Sequence, residues 1–267
     1  MIRTVSISLS LAASALTAGA GEIAPADLTA LPPADVVILG EIHDNPVHHA
    51  NQADAVAALV PAALVFGMLT PEQAARVTPA IRGDAAALGA ALGWEEAGWP
   101  EFAMYHPIFT AAPGARVFGA AFPRAAVSRA VAEGAAAVFG AEAARYGLDQ
   151  PLPAEEQAER EAEQAEANCD ALPAELLPGM VAAQRLRDAG LARAAVEAAA
   201  ETGGPVAVIT GNGHARRDRG LAVYLARAAP GLSVLSLGQL EAPAETADAD
   251  VAFDLWLVTP PAEREDP

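Results

Sequence analysis

Three of the chain's five histidines stand in one run, GEIHDNPVHHANQ from Gly40 to Gln52, directly behind the apolar stretch Val36-Val37-Ile38-Leu39. Imidazole is the side chain best suited to bind metal, carry a proton or pair with a carboxylate near neutral pH. The first of the three, His43, closes a Gly-x-x-His unit opened by Gly40, with Glu41 inside it. The plan returns far along the chain, where VAVITGNGH places Gly211 and His214 behind Val206–Thr210. Each apolar run has the β-branched, continuous character of a strand buried on both faces. Loops leaving the carboxyl ends of strands in an open parallel sheet line one crevice, so His43 and His214 are expected to converge there. Glycine suits the start of each unit, because a tight turn with close backbone approach needs a residue without Cβ.

The neighbours of His43 are sorted by helical phase. Pro46 suits the first position of a helix capped by Asn45 or Asp44 and running to about Val60. At about 100° per residue, Ala50, Ala53, Val56, Ala57 and Val60 share its apolar face. His49 falls at the edge of that face and reads equally as a core histidine or a site residue; His48 reads as surface. Past His214, Arg216, Arg217 and Arg219 are either solvated surface or a cradle for a ligand's acid groups. The segment WPEFAMYHPIF, Trp99 to Phe109, concentrates the aromatics of a chain that is only 5% aromatic. Phe102 and Phe109 read as core. Tyr105 and His106 are residue types that bind iron or hydrogen-bond a large flat ligand.

These groups need a scaffold. Strands are expected at Val36–Gly40, Ala63–Leu69, Arg116–Phe122, Val206–Thr210, Ser233–Leu237 and Val251–Val258. Helices fall between them, one opened by Thr70 as N-cap, one from Pro123 or Arg124, and one near Leu221–Ala229. Alternation of this kind predicts an α/β fold, a mostly parallel central sheet flanked by helices. Residues 139–200 carry no strand signal and read as an inserted helical subdomain, with a charged helix at Ala154–Ala167 and a second at Met180–Ala200. The polar tail 261–267 reads as disordered.

Composition narrows the function. A net charge of −18 excludes nucleic acid and anionic membrane as natural partners, since both repel such a surface. All sixteen basic residues are arginines, scattered along the chain. Residues 1–20 have the pattern of an export signal: Arg3, the apolar run Val5–Leu16, then the small residues Ala18-Gly19-Ala20. The mature domain, 21–260, is thus expected in the periplasm or outside the cell. No cysteine near the cleavage point offers a lipid anchor, and Cys169, the only cysteine, reads as a free structural thiol.

GEIHDNPVHHANQ, LVFGMLTPEQ, WPEFAMYHPIF, MVAAQRLRDAGLA and ITGNGHAR resemble, in this order, the ChaN-like branch of the haem-binding uptake/Tiki superfamily. The resemblance runs from about Val36 to Gly238. It implies a parallel α/β domain with a small helical domain, export, and haem binding linked to iron uptake. It also implies a tyrosine iron ligand, a histidine near the propionates, a homodimer enclosing the haem, and a membrane haem transporter, outer or inner, as partner. Tyr105 is the candidate ligand, ahead of Tyr146 and Tyr224. His43, His49, His106, His214, Arg216 and Arg217 are the candidate partners of the haem. Related Tiki-type and erythromycin-esterase-like proteins are hydrolases, and that resemblance implies Glu41, His43 and His214 as ligands for zinc or another divalent metal. Members carry a glutamate where this chain has Gly67, and its loss argues against hydrolysis, which needs convergent carboxylates. Three readings remain: a haem-binding protein, a metal-dependent hydrolase, and a binding module for another anionic ligand.

Overall fold

A computed structural model describes residues 20–168, 171–244 and 249–264. The export pattern at 1–19 and Cys169 lie outside the described residues. The chain builds one seven-stranded sheet, every pair of which is parallel. Its strands are β1 (Gly21–Glu22), β2 (Val36–Leu39), β3 (Ala63–Phe66), β4 (Arg116–Gly119), β5 (Val206–Ile209), β6 (Val234–Glu241) and β7 (Leu255–Thr259). Across the sheet they run β1-β7-β6-β2-β5-β3-β4. Six of the strands are those read from the sequence, most a little shorter. β1 gave no signal, because two residues carry no periodicity.

The apolar runs behave as their composition requires. All four residues of β2, β3 and β5 are buried, and successive residues point to opposite faces. Val36, Ile38, Val65 and Val208 join one core cluster, while Val37, Leu39, Leu64, Phe66 and Ile209 join the other. The helices Pro46–Leu59 and Phe102–Ala111 cover the second cluster. Leu177–Thr202 and Leu221–Ala228 cover the first. The second half of the expected helical insertion is therefore a crossover helix of the sheet. The helix packs against β3, β4 and β5, and its Leu186, Ala189, Ala192 and Ala195 share the first core cluster.

The order of strands sets the site. From β2 the chain skips one place to β3, moves out to β4, and returns so that β5 fills the gap. It then leaves in the other direction to β6. β2 and β5 are thus in-register neighbours, Leu39 opposite Ile209, and the loops after them leave the same edge where the connections diverge.

The tail departs from its reading as disordered. Arg264 grips both oxygens of Asp44 and both of Glu241, at 2.6 to 3.0 Å, which ties the chain end to the loop after β2. Residues 265–267 lie outside the described residues. The Pro46–Leu59 helix ends at Val60, 73% exposed and held at φ +44°, in the left-handed region that a β-branched residue resists. Val60→Gly is expected to raise stability by about 1 kcal/mol. A higher denaturant midpoint at unchanged slope would show it.

Candidate functional site

His43 and His214 both line a cavity of about 830 Å³ at the carboxyl edge of the sheet. A Cβ on Gly211 would sit 3.1 Å from His43 Nε2, so any larger residue there would crowd the imidazole, and glycine lets the second Gly-x-x-His loop approach the first histidine closely. Gly40 plays the matching part, since a Cβ on it would collide with Asn212 of the opposite loop. Asn212 in turn ties that loop to β6, its amide donating to the Gln239 carbonyl and its oxygen accepting from the Gln239 N–H.

Each histidine is held by a buried carboxylate. His43 Nδ1 donates to Glu41 Oε1 at 2.7 Å, and His214 Nδ1 donates to Asp188 Oδ1 at 2.6 Å. Glu41 and Asp188 are 2% and 1% exposed. A carboxylate at Nδ1 fixes the tautomer, leaves the Nε2 lone pair outward and raises its basicity. The His43 side chain is 42% exposed and that of His214 is 20% exposed, so both are reachable. Trp99 meets the His43 ring edge-on with centroids 5.1 Å apart, and forms part of the cavity wall.

Beneath His43 lies a buried network. His49 Nε2 donates to the His43 carbonyl at 2.9 Å, and its Nδ1 faces Gln52 Oε1 and Glu41 Oε2, each at 3.3 Å. The Gln52 amide nitrogen donates to the Leu39 and Gly40 carbonyls, which fixes its oxygen toward His49. Both nitrogens of His49 therefore face acceptors only, the signature of an imidazolium. Burial opposes that charge, but Glu41 outweighs it and raises the His49 pKa. Burial alone would also raise the Glu41 carboxyl; the hydrogen bond from His43 and the positive charge of His49, 3.3 Å from Oε2, hold it down at about 2. Glu41 Oε2 has no hydrogen bond of its own, so the pair Glu41–His49 is held chiefly by charge.

Several expectations change at this point. His48, read as surface, is fully buried. Its Nδ1 accepts the Ile42 N–H and its Nε2 donates to Thr259 Oγ1. Burial lowers its pKa to about 4, which keeps it neutral. The inward face of the Pro46–Leu59 helix is mixed, with Asn51 and Gln52 buried beside the two histidines and Ala55 and Val56 in the core, while Ala50, Ala57 and Val60 lie outside. The Asn51 amide donates to Gln239 Oε1 and the Gln52 amide to the strand-end carbonyls of Leu39 and Gly40.

Trp99–Phe109 is helical from Phe102, and Tyr105 faces the core, fully buried. The Tyr105 hydroxyl donates to Glu41 at 2.9 Å and lies off the cavity wall. Burial pushes its phenol far above the usual value, and the Glu41 carboxylate pushes the same way. Tyr146 and Tyr224 are 1% and 4% exposed, so all three tyrosines of the chain are buried. Tyr105→Phe is expected to cost about 1.5–3 kcal/mol, the worth of a hydrogen bond to a charged group. A thermal melt would show the loss, with the cavity's ligand spectrum unchanged.

The remaining candidates lie apart. His106 Nε2 meets the Arg82 carbonyl at 3.0 Å, away from the cavity. Arg216 pairs with Asp218 and Arg217 with Asp254. Arg216 lines a smaller cavity of about 200 Å³. Among the described residues no group of three or more His, Cys, Asp or Glu is placed to hold a metal ion. Glu41 does not complete a metal set with His43 and His214, because its carboxylate is turned to His43, His49 and Tyr105. Gly67 lines the cavity, where a Cβ would stand 3.1 Å from Thr210 Oγ1.

Sequence reasoning missed Asp188 and Arg187. Asp188 stands seven residues after Val181 and four before Ala192, on the buried stripe of the Leu177–Thr202 helix. An acid on an apolar stripe was the available signal.

An all-parallel α/β sheet with two carboxylate-held histidines over one crevice is an open-sheet architecture with a candidate site at its carboxyl edge. The chain belongs to the family described as haem-binding uptake, Tiki superfamily, ChaN, which matches residues 28–225. Among solved structures it is similar to one described as cofacial haem binding to ChaN of Campylobacter jejuni. That protein is 17% identical, with a TM-score of 0.64 over 86% of this chain and 89% of that one. The type III effector HopBA1 is more distant, 12% identical with a TM-score of 0.45 over 85% and 88% of the two chains. No curated protein matches the sequence.

Proposed function

We propose that this chain is an exported haem-binding protein of iron acquisition and that haem occupies the cavity under His43 and His214. The family supports a haem-binding role. One observation carries the placement: two imidazoles, each with Nδ1 held by a buried carboxylate, turn toward one cavity. The residues fit the group. Met68, Trp99, Phe122, Met180 and Leu191 offer apolar wall for a macrocycle, and the cavity lies within the size range of ligand pockets.

In this reading His43 Nε2 takes the iron, with Glu41 orienting the ring and strengthening it as a donor. His214 supplies a second imidazole, either to the iron or as a hydrogen-bond donor to the ligand. Tyr105 serves Glu41, and no tyrosine of this chain is exposed enough to ligate without repacking. Export rests on the N-terminal pattern. Pairing of two copies around haem and delivery to a membrane transporter rest on the resemblance alone.

Haemin titrated into the purified chain is expected to give a saturable shift of the Soret band, competed by added imidazole. A titration indistinguishable from haemin with an unrelated acidic protein would remove the reading.

A further inference from the structure

The lining of the main cavity is at odds with the rest of the chain. The protein carries 34 acids against 16 arginines, yet among the described residues no Asp or Glu lines this cavity, while Arg124, Arg187, His43 and His214 do. Low-dielectric walls around charges of one sign focus the field inward, so the cavity attracts anions through an otherwise repelling surface.

Arg187 is the sharper feature. It is part-buried, and burial lowers its pKa. Among the described residues it makes no hydrogen bond or ion pair; the acid it feels, Asp188, gives its oxygen to His214. The Arg187 nitrogens are not sealed in the core, so the guanidinium stands on the cavity wall with its donors open to a ligand. Its planar fork matches a carboxylate in a bidentate pair, which a histidine cannot reproduce.

We propose that Arg187, assisted by Arg124, is the anion-recognition residue of the cavity, and that the ligand must bring a free carboxylate to it. On the haem reading, which this inference deepens and rests on, that carboxylate is a propionate of the tetrapyrrole. His43 then reads the iron and Arg187 the acid edge, so the two ends of the ligand are checked by different elements of the fold.

Binding of haemin and of haemin dimethyl ester to the full chain separates these roles. The wild type is expected to prefer haemin by about 10- to 100-fold, as a charged hydrogen-bonded pair is worth. Arg187→Met is expected to lose most of that preference, with affinity for the ester and the iron-ligand spectrum unchanged. Without ligand, the variant is expected to melt no lower than the wild type, because an unpartnered charge has been removed. A lower melting temperature together with equal loss of haemin and ester would make Arg187 structural and overturn the proposal. Inorganic phosphate gives an arm independent of haem: it is expected to raise the melting temperature of the wild type and not of Arg187→Met. If the wild type binds no haemin but keeps this phosphate effect, the haem reading falls and the anion site stands. A variant that keeps both the wild-type discrimination and the phosphate effect overturns the anion site.

Discussion

Replacing His43 with alanine is expected to weaken haemin binding by about 100-fold or more. Partners one step removed from a metal are already worth about 10- to 100-fold, and His43 is placed to touch it directly. The fold should survive, because the ring is 42% exposed and its one hydrogen bond inside the protein goes to Glu41. A subtler block works through the opposite loop. Gly211→Ala would set a methyl carbon 3.1 Å from His43 Nε2, and an intermediate loss should follow without any change to the imidazole itself. Equilibrium titration of haemin with both variants checks the pair. Unchanged affinity in His43→Ala would move the ligand away from the Gly-x-x-His loops.

Glu41→Gln carries the largest expected cost to stability, about 3–5 kcal/mol, since it leaves a buried imidazolium without its counter-charge. Its pH dependence follows from the two shifts. Glu41 titrates lower in the folded state, at about 2 against 4.5 for the free group, so its contribution is complete above about 4.5 and fades as pH falls toward 2. His49 titrates higher in the folded state than 6.5, so its contribution is complete below 6.5 and is lost as pH rises through the raised value. The wild type should therefore gain most from the pair between about pH 4.5 and 6.5. In Glu41→Gln, burial is left to depress the His49 pKa, and the penalty measured at pH 5 should exceed that at pH 8. Denaturant unfolding of both proteins at the two pH values measures the difference. A penalty equal at both would mean that His49 is neutral in the native protein.

The sheet was legible because its strands are short, β-branched and buried on both faces, a pattern that survives even in an alanine-rich chain. The Gly-x-x-His repeat carried the convergence of His43 and His214, since parallel strands send equivalent loops to one edge. Helical phase failed for His48 and His49. When half the apolar residues are alanine, the apolar stripe says little about which face is inward, and buried polar side chains are revealed only by the carbonyls they meet. The burial of Tyr105 was hidden for a related reason: the Glu41 carboxylate that its hydroxyl meets lies 64 positions away in the sequence. Arg216 and Arg217 drew attention as a cluster, but Asp218 and Asp254 neutralise them. Arg187, hidden in a mixed helix, lines the cavity together with Arg124.

The electron paramagnetic resonance spectrum of the ferric haem complex tests the central claim most directly. With all three tyrosines buried and His43 presented by Glu41, a histidine-ligated ferric signal is expected, lost or altered in His43→Ala. A phenolate-ligated signal, retained in His43→Ala, would contradict the account, because a tyrosine would then have to leave the core to reach the iron.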